Sequence, residues 1–357
     1  MGTTRPEEAG SGSEHDKSKR SGEMAMDGES KLRGILGADE LDQPAAGGGP
    51  SAAGGRQGAP YNPAAFARNR IIDTWDKYDG VLSWGKGQCL AILDDGCDLT
   101  VPEWQARLPW GAKVIAAYNS IDGNDDPTPV PPGYHGTSVG YPSSLHYNGL
   151  LGAAYNNHVA HVRCASIVHL RRDESASIAA GLQWVVDHRQ QYGITAVNLS
   201  VLDDRMHETP VATAVDAKLE ELRRLGVWVS APCGNNGYTA GISWPACQPA
   251  CFAIGAVHPD TGEVHLDRGA STDLLVAATA TSSSNAYAAA CAMILREAVA
   301  VSGFRWEAWG ATLPDALMAI FRHTGTAVDD PASGRSFRCL DLLAAADFLF
   351  AAPMRTK

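Results

Sequence analysis

Along this chain, short runs in which nearly every position is apolar alternate with longer stretches in which apolar residues recur every three or four. Residues 88–93 (QCLAIL), 113–118 (KVIAAY), 161–170 (HVRCASIVHL), 195–199, 227–231 (VWVSA), 250–257 and 274–278 are of the first kind. Runs of that length without polar alternation suit strands covered on both faces, as in a parallel sheet. Residues 175–191, 209–225, 313–323 and 339–350 carry the helical period, as does a segment opening near Ser282. Strand and helix taken in turn predict crossover units. The expected fold is therefore α/β, a three-layer sandwich with a mainly parallel central sheet and helices on both faces.

Residues 1–60 break that texture. They contain no Phe, Tyr, Trp, Val or Cys and close on AAGGGPSAAGGRQGAP. Such a segment cannot bury enough apolar surface to offset the entropy of ordering it. It reads as a disordered low-complexity tail, in which a helical turn around 31–41 would find little to pack against. Residues 61–353 read as one domain, and no internal repeat is visible.

Composition narrows the function. A chain of 357 residues with 45% hydrophobic content builds one large core or two modest ones, and a formal charge of −11 argues against a nucleic-acid partner. No apolar run is long enough to span a bilayer, and MGTTRPEEAG lacks the basic-then-apolar order of a secretory signal, so the expectation is a protein without a membrane partner, cytoplasmic as the chain is given, with secretion left open if the gene start is incomplete. Eight cysteines without CxxC spacing predict buried, reduced thiols, with Cys247 and Cys251 the pair to check for a bridge.

The chemistry centres on residues 277–300, AATATSSSNAYAAACAMILREAVA, a hydroxyl-rich turn opening a helix that is apolar on every side as far as Arg296. Ser282, Ser283 or Ser284 reads either as an N-cap or as a nucleophile beside unpaired helix N–H groups that can hold an oxyanion. The second reading needs a base, an orienting acid and another oxyanion donor. In an open parallel sheet these lie just past the carboxyl ends of strands. Asp94 and Asp95 follow the first strand, where Asp-Gly also makes an ordinary turn. His135 stands in YHGTSVG, one of eleven histidines, followed by two small residues at a helix start and lying in chain order between Asp94 and Ser282. Asn235 stands in APCGNNG directly after the VWVSA strand, as a turn residue or as an amide donor.

With these residues in order Asp, His, Ser, the chain resembles the subtilisin-like serine peptidases over most of residues 71–350. TWDKYDGVLSWGKGQCLAILDDGCD resembles the family's approach to its aspartate, HGTSVG its His-Gly-Thr motif, AVNLSV its Asn-x-Ser strand, and APCGNNG its oxyanion asparagine. SWPACQPACFAIGAV resembles the Tyr-Pro-Ala stretch and ATSSSNAYAAACAMIL the Gly-Thr-Ser helix, which selects Ser282 among the three serines. The resemblance implies Ser282 as nucleophile, His135 as general base then acid, Asp94 as its orienting group, and Asn235 with the Ser282 N–H as oxyanion hole. It also implies a peptide or protein substrate lying extended between backbone edges near 199–202 and 168–172, with no redox cofactor. The chain departs from the family at Pro142, which should end the His135 helix after about a turn and a half, and at Leu202, which stands in place of a glycine and narrows the cleft. Ala280 and Ala286 replace a Gly and a Pro.

The acidic loop Asp122-Gly123-Asn124-Asp125-Asp126 offers hard oxygens suited to calcium, yet Pro127 and Gly133 occupy the positions where an EF-hand needs Gly and Glu. No metal ligand is assigned; Asp203 and Asp204 are open to calcium or to a basic substrate side chain. Two other functions compete with the peptidase: a non-catalytic relative that binds peptides or partners, suggested by Pro142 and Leu202, and a small-ester hydrolase, disfavoured because no Gly-x-Ser-x-Gly elbow surrounds Ser282.

Overall fold

Alternation along each strand decides which core a side chain enters. On Cys89–Asp94 (β1), Leu90 and Ile92 point into one apolar cluster and Cys89, Ala91 and Leu93 into another, so the strand is buried on both faces. The structure, a computed structural model, describes residues 58–351. The remaining strands of the main sheet are Val114–Asn119 (β2), His158–Arg163 (β3), Ile194–Leu199 (β4), Trp228–Pro232 (β5), Phe252–Val257 (β6), Leu274–Ala277 (β7), Thr326–Asp330 (β8) and Arg335–Cys339 (β9). Their order is β8-β9-β7-β6-β5-β4-β1-β3-β2, parallel throughout except for the antiparallel β8–β9 pair.

Strand order reverses at β1, which has β3 on one side and β4 on the other. A crevice opens at such a switch point, at the carboxyl ends of the strands. Leu93 pairs with Leu199, and Ser230 with Asn198, so Asp94 and Pro232 stand level on either side of Ser200. With neighbouring strands about 4.8 Å apart, these two strand ends are separated by about 10 Å.

The helices are Pro63–Arg68 (α1), Ile71–Lys77 (α2), the single turns His135–Ser138 (α3) and Tyr141–Ser144 (α4), then Ser175–Tyr192 (α5), Asp216–Arg224 (α6), Thr281–Ser302 (α7), Leu313–Thr324 (α8) and Leu342–Ala351 (α9). α5 and α6 cover one face of the sheet; α7, with α8 and α9 against it, covers the other. Every residue of α7 from Thr281 to Leu295 is buried, as its all-round apolar sequence predicts. Among the described residues no helix is long and apolar enough to cross a membrane.

Several expectations shift. Gly58 to Pro60 fall inside the domain, because Ala59–Pro60 pairs in parallel with Leu150–Leu151; the rest of the expected tail, its helical turn included, lies outside the described residues. The run read as a strand over 161–170 starts at His158 and ends at Arg163. The 209–225 helix begins only at Asp216, since Gln248 accepts from Val211 N–H and donates to Val211 O, holding that stretch extended. Cys339 belongs to β9, not to the last helix. α3 does stop short: with Pro142 ahead, the chain restarts as α4. All eight cysteines are buried free thiols, Cys247 and Cys251 included.

Candidate active site

Asp94 is the last residue of β1, and burial leaves its carboxylate few partners. It uses them on one side chain: His135 Nδ1 lies 2.9 Å from Asp94 Oδ2 and 3.0 Å from Oδ1. A carboxylate there requires the proton on Nδ1, which leaves the Nε2 lone pair free. Burial opposes the charged imidazolium, but Asp94 and Asp95 outweigh it and hold His135 above its ordinary value.

The backbone of His135 is fixed by a residue that the sequence pattern marked only as a turn. Asp95 Oδ1 accepts from Gly136 N–H at 2.9 Å, and Oδ2 from His135 N–H at 3.4 Å. Burial, then the charge of Asp94, push the Asp95 carboxyl above the usual carboxylate range. Gly136 is dictated by proximity, since a Cβ there would stand 2.2 Å from Gly96 O and 2.8 Å from Asp94 Cβ.

On the other side of β4, Asn235 is oriented by the first turn of α7. Its Oδ1 accepts from Thr281 N–H at 3.0 Å and from Thr281 Oγ1 at 2.8 Å, and Thr281 Oγ1 in turn accepts from Gly234 N–H. With Oδ1 so engaged, the amide Nδ2 is the donor that remains on this side chain. Gly234 has φ 114°, and a Cβ there would meet Asp267 Oδ2 at 2.2 Å, so the loop needs glycine before the asparagine.

Ser282 is the second residue of α7. The N-cap is Ala280, so none of the three serines holds that position, and Ser284 Oγ donates to Thr281 O. Among the described residues no hydrogen bond joins Ser282 Oγ to His135. Three residues on, and so on the same helix face, Asn285 Nδ2 lies 2.7 Å from Asn198 Oδ1, 3.1 Å from Ser230 O and 3.3 Å from Ser200 Oγ. That contact ties the first turns of α7 to β4 and β5, the strands that follow β1 in the sheet. Asn285 and Thr281 were missed as positioning groups; a lone asparagine inside an apolar helix was the available signal.

The other expected residues are placed less openly. Asp203 Oδ2 meets His207 Nε2 at 2.8 Å and Asp204 Oδ2 meets His169 Nδ1 at 2.9 Å, so both carboxylates face imidazoles. The edges expected to flank a substrate pair with each other at Leu202. In the acidic loop, Asn124 accepts from Asp126 N–H and Asp126 from Thr128 N–H, side chains folded onto their own turns. Among the described residues no three His, Cys, Asp or Glu gather as a metal site. A groove of about 710 Å³ is lined by Asp98, Asp125, Asp126, Pro129 and Tyr134, the residue before His135.

No protein-family model matches the chain. It is 25% identical over 204 residues to a subtilisin-like protease of Coccidioides posadasii, covering 55% of this chain and 48% of that protein. It is 30% identical over 171 residues to subtilisin-like protease 10 of Arthroderma benhamiae, covering 46% and 28%. The chain thus spans less than half the length of these curated relatives. Its fold is subtilisin-like: a cold adapted subtilisin-like serine proteinase superposes with a TM-score of 0.54 at 18% identity, over 72% of this chain and 90% of that one.

Proposed function

We propose that this chain is a serine endopeptidase that cleaves peptide bonds through an acyl-enzyme. The observation that carries the reading is the buried Asp94–His135 pair at the switch point of a subtilisin-like sheet; Ser282 in the first turn of α7, the helix that Asn285 ties to β4, supports it. Similarity to subtilisin-like proteases supports it.

In this mechanism Ser282 Oγ attacks the scissile carbonyl carbon while His135 Nε2 takes its proton. A serine hydroxyl is a weak nucleophile until an imidazole does so. The imidazolium formed is stabilised by Asp94, which accepts its Nδ1–H. Negative charge on the tetrahedral oxygen is met by Asn235 Nδ2 and the Ser282 N–H. Thr281 N–H donates to Asn235 and Ser284 N–H to Ala280 O, so the Ser282 N–H lies in the first turn, ahead of the first intrahelical bond. His135 then returns the proton to the leaving amine, and water repeats the sequence on the acyl-enzyme. The relatives' names extend to this chain as the expectation of a peptide or protein substrate.

The test is turnover of a mixed peptide library by the wild type, Ser282→Ala and His135→Ala. Cleavage that disappears in both variants is expected. A folded wild type without turnover would instead point to a peptide-binding or partner-binding relative.

A further inference from the structure

The slot between the two expected substrate edges is shut. Leu202 N–H donates to Val168 O at 3.0 Å and Leu170 N–H donates to Leu202 O at 2.8 Å, a single parallel bridge between His169 and Leu202. These are backbone groups of the kind a peptide must find unpaired in order to add as a strand. Leu202 is completely buried, with Val168 and Leu170 nearly so, and side chains packed into the domain hold the segments together from beneath.

A second tie spans the same two segments. His169 Nδ1 lies 2.9 Å from Asp204 Oδ2 and 3.1 Å from Oδ1; burial opposes the charged carboxylate, but His169, with Asn236 and Arg171, holds the Asp204 carboxyl below its ordinary range. Asp204 has φ 56°, a left-handed backbone that Asp and Asn tolerate best among residues other than glycine. The Tyr238 hydroxyl donates to the Asp204 carbonyl at 3.3 Å, which joins the closure to the loop bearing Asn235.

We propose that this closure, locked by the His169–Asp204 pair, makes acyl-chain length the specificity determinant of the site. A substrate with a short acyl group reaches Ser282 with the bridge intact. An extended peptide must part Leu202 from Val168 and Leu170 and break the His169–Asp204 pair before it can lie down as a strand. The inference rests on the serine-peptidase reading, and Leu202, which stands where a glycine would leave the edge open, is its sequence signature.

Two measurements test it. Hydrogen exchange on the intact protein reads the closure without catalysis: the Leu170 and Leu202 amides should exchange slowly in the wild type and at least tenfold faster in Asp204→Asn, a change the left-handed backbone accommodates. Wild-type amides exchanging as fast as an open loop overturn the proposal. Kinetics reads the consequence, as the ratio of kcat/KM for a hexapeptide p-nitroanilide to that for an N-acetyl amino-acid ester. The ratio should rise at least tenfold in Asp204→Asn and in Leu202→Gly, through a lower KM for the peptide. An unchanged ratio, despite faster exchange, overturns the specificity claim. Turnover of neither substrate, with no phosphonate adduct on Ser282, removes the peptidase reading and the specificity claim with it, while exchange still decides whether the closure exists.

Discussion

Asp94 turns both carboxylate oxygens to one imidazole nitrogen, and Oδ1 also accepts from the Asp95 N–H at 2.7 Å. Replacing it with Asn keeps the shape but allows the wrong tautomer of His135, so kcat should fall by about 10⁴ in a steady-state assay. Asn235→Ala removes one oxyanion donor and should lower kcat by about 10²–10³ with KM little changed. Because the carboxylates hold His135 above its ordinary value, the base is protonated and inactive until pH rises past that raised value. The acid limb of kcat/KM should therefore lie above about 6.5. Asp95→Asn removes the charge that Asp95 contributes, partial at that pH because burial and Asp94 push its carboxyl up to about 7, and should move that limb to lower pH, with the amide oxygen still able to accept from Gly136. A limb that stays in place would mean Asp95 acts only as a backbone clamp. Asp94 and Asn235 were legible because each ends or follows a strand, and His135 because two small residues follow it at a helix start and it lies in chain order between Asp94 and Ser282. Asp95, Thr281 and Asn285 were not, because their partners are up to 87 residues away and meet them only after the sheet has formed.

At the scale of elements, the parallel strands were legible from unbroken apolar runs and α7 from its all-round apolar helix. The β8–β9 hairpin was not: of its ten residues only Asp330, Phe337 and Cys339 are buried, so no apolar run announces it. It is fastened instead by charge, since Arg268 Nε lies 2.7 Å from Asp330 Oδ2 and Nη2 lies 3.1 Å from Oδ1, both side chains buried. Asp330→Ala leaves the guanidinium buried and unpaired. It should destabilise the domain by about 3–5 kcal/mol, read from denaturant midpoints at constant m. The hydrogen bond from Arg268 lowers the Asp330 pKa to about 2, below its unfolded value. This contribution is fully present above the ordinary carboxylate range and is lost as pH falls through about 2. Gly136→Ala should act on both scales, forcing α3 off β1 at a cost of about 1–3 kcal/mol and displacing His135.

Over the whole molecule, a sheet whose order reverses at β1 gathers groups from five separated stretches to one end, which is why a site spread from Asp94 to Asn285 can be compact. The three-layer plan followed from strand and helix alternation, whereas the closed bridge at Leu202 depends on the path of a loop that periodicity does not specify. The central claim is that Ser282, among many hydroxyls, is the reactive one. It is tested most directly by treating the intact protein with a phosphonate bearing a single N-acetyl amino-acid group and locating the adduct by peptide mass spectrometry. The account predicts a single adduct on Ser282 that disappears in His135→Ala. An adduct on another hydroxyl, or labelling of Ser282 that persists without the imidazole, would contradict it.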